Sequence, residues 1–322
     1  MTSDYRKILI FRYGQLGDTL VALPSLWTIR KNFPDAHIIL LSERPKSHHV
    51  SPEKILPRSG LIDDYVLFDP PGKDRNLLNH WHLARRLRAW QFDLAVYLAP
   101  SLRPISSRIR DMLFFQFAGI KEIKGLKGFP KKRHARRKHP LPSVPMESDS
   151  LLQRLRVGGL SVPSLASTYT DLALSTEERE KVRSWWESKV IRRDSNGWFA
   201  VAPGSKMPSK IWPYENYVAT VQRIMLEMGL RPIILGGVED RPIGLRMIAE
   251  WGDGLCGAGE LSVRESATAL ESVEFYLGND TGTMHLAAAI GTPCVAIFSA
   301  QDWPGRWYPY GGKHEVLRIA VP

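Results

Sequence analysis

Short apolar runs bounded by turn residues alternate with amphipathic stretches along nearly the whole chain. In the first half this pattern predicts strands at Lys7–Tyr13, His37–Leu41, Tyr65–Phe68, Leu94–Leu98 and Ile120–Lys124, and helices at about Thr19–Asn32, Leu77–Trp90, Ile105–Phe117 and Asp149–Val157. Gly158–Thr168 is rich in Gly, Ser and Pro, lacks helical periodicity and reads as a linker. After it come a helix at Thr176–Val190, a strand at Trp198–Ala202, a helix at Tyr214–Met228, a strand at Pro232–Leu235, and helices near Arg241–Trp251 and Ser262–Ser272. Two successive runs of β–α alternation imply an α/β protein with two doubly wound, Rossmann-like domains facing a cleft, divided as residues 1–165 and 166–322.

The segment FYLGNDTGTMHLAAAIGTPCVAIFSAQDW (residues 275–303) carries the most information. Phe275–Leu277 and Cys294–Phe298 suit strands of a parallel sheet covered on both faces. Between them Gly278, Asn279 and Gly282 allow a sharp turn, and the backbone N–H groups of Gly282, Thr283 and Met284 open a helix. Those free donors and the positive end of the helix dipole favour an anion. Asp280 or Thr281 also fits a plain N-cap. His285, at i+4 from Thr281, either contacts phosphate or packs.

Three further segments have matching features. In KILIFRYGQLGDTLVALPSLWTIRKNFPDAHIILL (Lys7–Leu41), Gly14 and Gly17 allow close backbone approach, and Asp18 stands at a helix start near a strand's carboxyl end, where it is either a cap or a reactive carboxylate. In APGSKMPSKIWPYENY (Ala202–Tyr217), Ser205 offers a hydroxyl, Lys206 and Lys210 bring positive charge, and Trp212–Pro213 starts the next helix. In PIILGGVED (Pro232–Asp240), Glu239 or its neighbour Asp240 sits where a ribose would lie in a doubly wound sheet.

Together and in this order, these segments resemble glycosyltransferase family 9, the lipopolysaccharide heptosyltransferases and their relatives, from residue 7 to about residue 310. The resemblance implies a glycosyltransferase-B architecture with the acceptor on the N-terminal domain and a nucleotide-sugar donor on the C-terminal one. It implies Asp18 as the base that takes a proton from the attacking hydroxyl, beside Gly17 on the acceptor side. Lys210, in its Lys-x-Trp-Pro setting, then contacts donor phosphate together with Ser205, Asp280, Thr281, Gly282, Thr283, Met284 and His285, and Glu239 holds the ribose. The implied reaction is inverting transfer of a heptose or related sugar to a lipopolysaccharide-core or similar glycan, with an ADP-sugar as the favoured co-substrate and no cofactor. No DxD pair or cluster with metal-ligand spacing occurs, so no metal is expected.

Charge adds a partner. Twelve Lys or Arg face two acids between Ser101 and Pro140, nearly the whole net charge of +11. The densest part contains Lys131, Lys132, Arg133, Arg136, Arg137 and Lys138 between Pro130 and Pro140, and reads as an exposed loop that contacts an anionic glycolipid acceptor or membrane. Phe114, Phe115 and Phe117 are the apolar alternative for membrane contact. Nucleic acid is not favoured, since no helix-turn-helix, RNP-type or zinc motif accompanies the charge. The apolar run before Arg12 is too short for a signal segment, and Leu286–Gln301 is broken by Gly291 and Pro293. With Cys256 and Cys294 in separate elements, the expectation is a cytoplasmic protein, peripheral on the inner face of the cytoplasmic membrane.

Other readings are weaker. A nicotinamide dehydrogenase needs Gly-x-Gly-x-x-Gly after its first strand, where this chain reads Gly-Gln-Leu-Gly, and Gly257-Ala-Gly259 lacks a third glycine and a clear preceding strand. A nucleotide-sugar epimerase shares donor binding but needs no acceptor. A non-enzymatic polyanion-binding or membrane-binding protein would explain the basic loop alone. Two features depart from the family. The basic loop exceeds what donor binding needs, and the sequence stops at Val316–Pro322, just after a predicted strand. Either it is shortened or this member lacks the terminal helix that crosses back in glycosyltransferase-B chains.

Overall fold

The structure, a computed structural model, describes residues 5–45, 50–56, 60–69, 77–130, 141–164, 170–189 and 196–319. The predicted basic loop at Lys131–Lys138 lies outside the described residues. The chain divides into two compact units. The first takes in the described residues up to 130 and those from Glu147 to Thr170. The second takes in residues 141–146 and those from Asp171 onward.

The sheet of the first unit holds β1 (Lys7–Phe11), β2 (His37–Glu43), β3 (Asp64–Phe68), β4 (Leu94–Tyr97) and β5 (Glu122–Lys124), ordered β3-β2-β1-β4-β5 with every neighbouring pair parallel. Ile8, Leu9, Ile10 and Phe11 of β1 are all buried, because alternate side chains enter cores on both faces. The helices are α1 (Leu16–Leu20), α2 (Leu23–Asn32), α3 (Leu77–Trp90), α4 (Ile105–Phe117) and α5 (Glu147–Val157). Ala84 and Leu87 of α3 and Phe115 of α4 share one core with Leu9, Phe11 and Tyr97, while α2 packs against α5. The single helix expected at Thr19–Asn32 is two helices. Pro24 has no N–H, and its ring would clash with the carbonyl of Leu20, so α1 ends there and α2 restarts with Pro24 in its first turn.

The sheet of the second unit holds β6 (Trp198–Ala202), β7 (Arg231–Ile234), β8 (Leu255–Cys256), β9 (Tyr276–Asn279), β10 (Cys294–Phe298) and β11 (His314–Arg318), ordered β11-β10-β9-β6-β7-β8 and again parallel throughout. Its helices are α6 (Thr176–Lys189), α7 (Tyr214–Met228), α8 (Arg241–Trp251), α9 (Val263–Leu270) and α10 (Gly282–Ala289). Phe199, Val201, Tyr217, Val221, Met247 and Trp251 form the core between the sheet and the α7 and α8 side. β8 corrects the sequence reading. A short strand does precede Gly257, but two residues are too few to show a period. β11 likewise runs through Val316, which had been placed beyond the last strand.

Each sheet reverses its strand order once, between β1 and β4 in the first unit and between β6 and β9 in the second. Loops leaving the carboxyl ends of strands at such a switch point are where doubly wound sheets bind ligands. The two cysteines are free thiols, and burial pushes that of Cys294 up to about 12. No helix among the described residues is long and apolar enough to cross a membrane.

Candidate functional site

At the first switch point Arg12 follows β1 directly and is only 2% exposed. Its guanidinium spreads over three elements, with Nε donating to the Asp18 carbonyl at 2.9 Å, Nη1 to the Leu98 carbonyl at 2.8 Å, and Nη2 lying 3.4 Å from Asp18 Oδ1. Glu147 Oε1 is 3.9 Å from Nη1 and also accepts the Ser101 N–H at 2.7 Å. Asp18 Oδ2 accepts the Gln15 N–H at 3.0 Å, so the carboxylate caps α1 as well. Gly14 permits this arrangement. Its φ is +129°, and a Cβ there would stand 2.4 Å from Asp18 Cγ. Asp18 thus sits at the carboxyl end of β1 as the turn motif implied, 27% exposed, with its orientation fixed from two sides. Gly17 lies beside it within α1.

A second buried arginine braces the neighbouring loops. Arg154 of α5 donates from Nε to Gly125 O at 2.9 Å and from Nη1 to Ala99 O at 2.6 Å, and its third contact is to Tyr97 O. Burial pulls its pKa down to about 9, opposed by the charge of Glu147. The chain segments after β4 and β5 are therefore held by carbonyl contacts to one fork-shaped group.

At the second switch point Asn279, fully buried at the end of β9, ties two loops together. Its Nδ2 donates to Pro203 O at 2.7 Å, and its Oδ1 accepts the Trp212 N–H at 3.1 Å. That fixes the loop after β6 across the end of β9. Lys210, in a single turn of 3-10 helix at Pro208–Lys210, thereby places Nζ 2.5 Å from Asp280 Oδ2. Burial raises the Asp280 carboxyl above its ordinary value, and Lys210 partly offsets this. Next along the chain, Thr281 occupies the N-cap of α10 but its side chain makes no capping bond, and its Oγ1 faces the buried Tyr276 hydroxyl instead. The amides of Gly282, Thr283 and Met284 are therefore left without a side-chain cap. Lys210, Asp280, Thr281 and the first turn of α10 converge as the sequence implied.

The remaining predicted residues fall into distinct settings. Ser205 Oγ accepts the Met207 N–H at 3.2 Å, which stabilises the turn. The Lys206 ammonium is lowered in pKa by burial, against the pull of Glu239 and Asp240. Asp240 turns back beneath the loops. It accepts the Gly237 N–H at 2.9 Å, and a Cβ on Gly204 would stand 1.8 Å from its Oδ1. Burial raises its pKa. Glu239 is exposed at the carboxyl end of β7. Of the two, Glu239 is the more exposed. His285 is buried, its ring 6.3 Å from that of Trp307 in an edge-on contact. Lys131, Lys132, Arg133, Arg136, Arg137 and Lys138 lie outside the described residues.

Sequence reasoning missed Arg12, Glu147 and Asn279. Arg12 had left a signal, as a charge ending an apolar strand directly before a Gly-rich turn. Asn279 had been read as a turn former alone.

Several comparisons bear on this arrangement. Lipopolysaccharide heptosyltransferase 2 of Salmonella typhimurium is 27% identical over a stretch covering 36% of this chain, and the chain thus spans about a third, 35%, of the length of that relative. Among solved structures, a family 9 glycosyl transferase from Veillonella parvula aligns over 99% of this chain and 87% of its own, at 20% identity and TM-score 0.75. The Escherichia coli heptosyltransferase WaaC, solved with ADP-2-deoxy-2-fluoro heptose, aligns over 97% of this chain and 93% of its own, at 16% identity and TM-score 0.65. These likenesses establish the fold as that of the glycosyltransferase-B heptosyltransferases. Because residues 80–321, most of the chain, also match the family profile, the chain belongs to glycosyltransferase family 9 (heptosyltransferase).

Proposed function

We propose that this chain is an inverting glycosyltransferase that moves a heptose or related sugar from a nucleotide-diphosphate donor, with ADP as the favoured nucleotide, to a lipopolysaccharide-core or similar glycan. The observation that carries the reading is the convergence of Lys210 with the uncapped first turn of α10 at the switch point of the second sheet. A diphosphate set there meets backbone N–H donors, a helix dipole and an ammonium. As the bond from the anomeric carbon to the phosphate oxygen breaks, the electron pair stays on the diphosphate. Lys210 and the Gly282–Met284 amides stabilise the added charge more than they stabilise the bound donor. The Lys210 ammonium, 2.5 Å from Asp280 Oδ2, offsets that carboxylate's repulsion of the incoming phosphate.

In the first unit Asp18 takes the proton of the acceptor hydroxyl as its oxygen bonds to the anomeric carbon. The carboxylate has lone pairs beyond those facing Gln15 and Arg12. Glu239 accepts the ribose hydroxyls, and no metal is required. The known solved complex of WaaC with an ADP-sugar analogue supports ADP as the nucleotide. The reading further includes cytoplasmic placement with peripheral contact to an anionic membrane, helped by the basic run at Lys131–Lys138. Thermal unfolding with added ADP, UDP or pyrophosphate tests the donor site. ADP should raise the transition most, and no shift with any of the three would overturn the donor assignment.

A further inference from the structure

Helix α4 is apolar on two sides. Phe115 enters the core, Phe114 packs against it, and Asp111 is buried on the same side. On the outer side Ile105, Ile109, Leu113 and Phe117 are 65%, 48%, 55% and 60% exposed. Their four-residue spacing lays them in one row along the helix. A helix facing water on that side would carry polar residues there. Of the three phenylalanines singled out by the sequence, only Phe117 belongs to this outer row. Helix α3 lies alongside, its His80 ring 6.5 Å from Phe114, and adds the half-exposed Trp81 under the Arg85 guanidinium.

The charge around this row is one-sided. Helix α3 has three arginines and no acid. The single acid of α4, Asp111, is neutralised by Arg103 at 2.7 Å and Arg110 at 2.9 Å. Arg85, Arg86 and Arg110 are exposed among the apolar side chains.

We propose that the outer face of α3 and α4 is the surface by which the chain lies on an anionic bilayer. The row on α4 enters the boundary between headgroups and acyl chains, Trp81 sits at the interface, and the arginines meet lipid phosphates. This deepens, and rests on, the reading of peripheral membrane contact by assigning to it an apolar surface built from residues other than the basic run at Lys131–Lys138. A second copy of the chain fits less well, because a two-fold contact through this face would set like charges against one another.

The test is sedimentation with phosphatidylcholine vesicles, with and without about 30% phosphatidylglycerol, at about 0.1 and 0.5 M salt. Wild-type chain is expected to bind the anionic vesicles, with a residue of binding surviving the higher salt. The variant Ile109→Gln/Leu113→Gln/Phe117→Gln should lose about tenfold or more in partitioning at both salts, with unchanged circular dichroism and unchanged stabilisation by ADP. Replacing the six basic residues of Lys131–Lys138 by Ser should leave the salt-resistant part in place. Equal binding by the triple variant, or no binding by wild type, would overturn the proposal. So would a wild-type dimer in gel filtration that the triple variant abolishes, which would assign the face to a second copy. Since ADP stabilisation is read separately, its absence in wild type would sink the donor reading and leave the vesicle result standing.

Discussion

The proposed role of Asp18 requires a carboxylate that caps a helix to keep a lone pair free for a proton, and Asp18 keeps one while Arg12 and the Gln15 amide fix its direction. Asp18→Asn keeps the size and the cap but not the base. Turnover should fall by roughly a hundredfold or more while stabilisation by ADP stays as in wild type, and unchanged turnover would remove Asp18 from the chemistry. Lys210→Ala should weaken ADP by roughly 10- to 100-fold, the worth of a charge-assisted phosphate contact at about 1.5–3 kcal/mol. A loss confined to Lys206→Ala would show that the other lysine holds the phosphate. Asp280 gives a pH signature. Its folded-state pKa is raised by burial, so its contribution to stability is fully present below the unfolded value of about 4 and is lost as pH rises through the folded value. Asp280→Asn lacks that dependence. The melting temperature of wild type minus that of the variant should therefore be larger near pH 4 than near pH 7, and the opposite trend in calorimetry would contradict the assignment.

Among elements, β9 and the loop after β6 act as one piece because Asn279 joins them. Asn279→Ala would leave the Trp212 N–H without its side-chain acceptor. It should lower stability by about 1–3 kcal/mol and weaken ADP binding as well, since Lys210 is carried by the same loop. Normal ADP binding in a destabilised variant would confine Asn279 to a structural role. This joint shows where the sequence was legible and where it was not. Helices α3, α4, α7 and α8 follow from their periodicity and boundaries, as does β6 from its apolar run. Pro24 was visible too, but the apolar period of the two short helices runs on across the break and hid it. β8 is too short to carry a period. Arg12, Glu147 and Asn279 make contacts 46 to 135 residues apart, such as Ser101 to Glu147 and Arg12 to Glu147, which no local pattern reports. The Asp18 cap, by contrast, is a contact three residues long and was foreseen as an option.

At the level of the whole molecule, two parallel sheets repeat one device, a charged group at the switch point held by a buried polar side chain: Asp18 by Arg12 in the first, and Lys210 by way of Asn279 in the second. The pair of sheets was legible from two runs of β–α alternation, but the buried side chains that hold the device were not. The allegiance of residues 141–146 to the second unit was not, because it rests on the Val144 N–H donating to Pro304 O at 2.8 Å, across distant sequence. The assigned division of labour, with the base in one unit and the donor in the other, makes the reaction depend on an acceptor. The most direct test is therefore mass spectrometry of a heptose-deficient lipopolysaccharide core incubated with ADP-heptose and the chain. The account expects the core to gain one heptose with release of ADP in equal amount, and Asp18→Asn to suppress both. Conversion of the ADP-sugar to an isomer without any core present, or no change in the core while ADP-heptose binds, would contradict glycosyl transfer as the function of this chain.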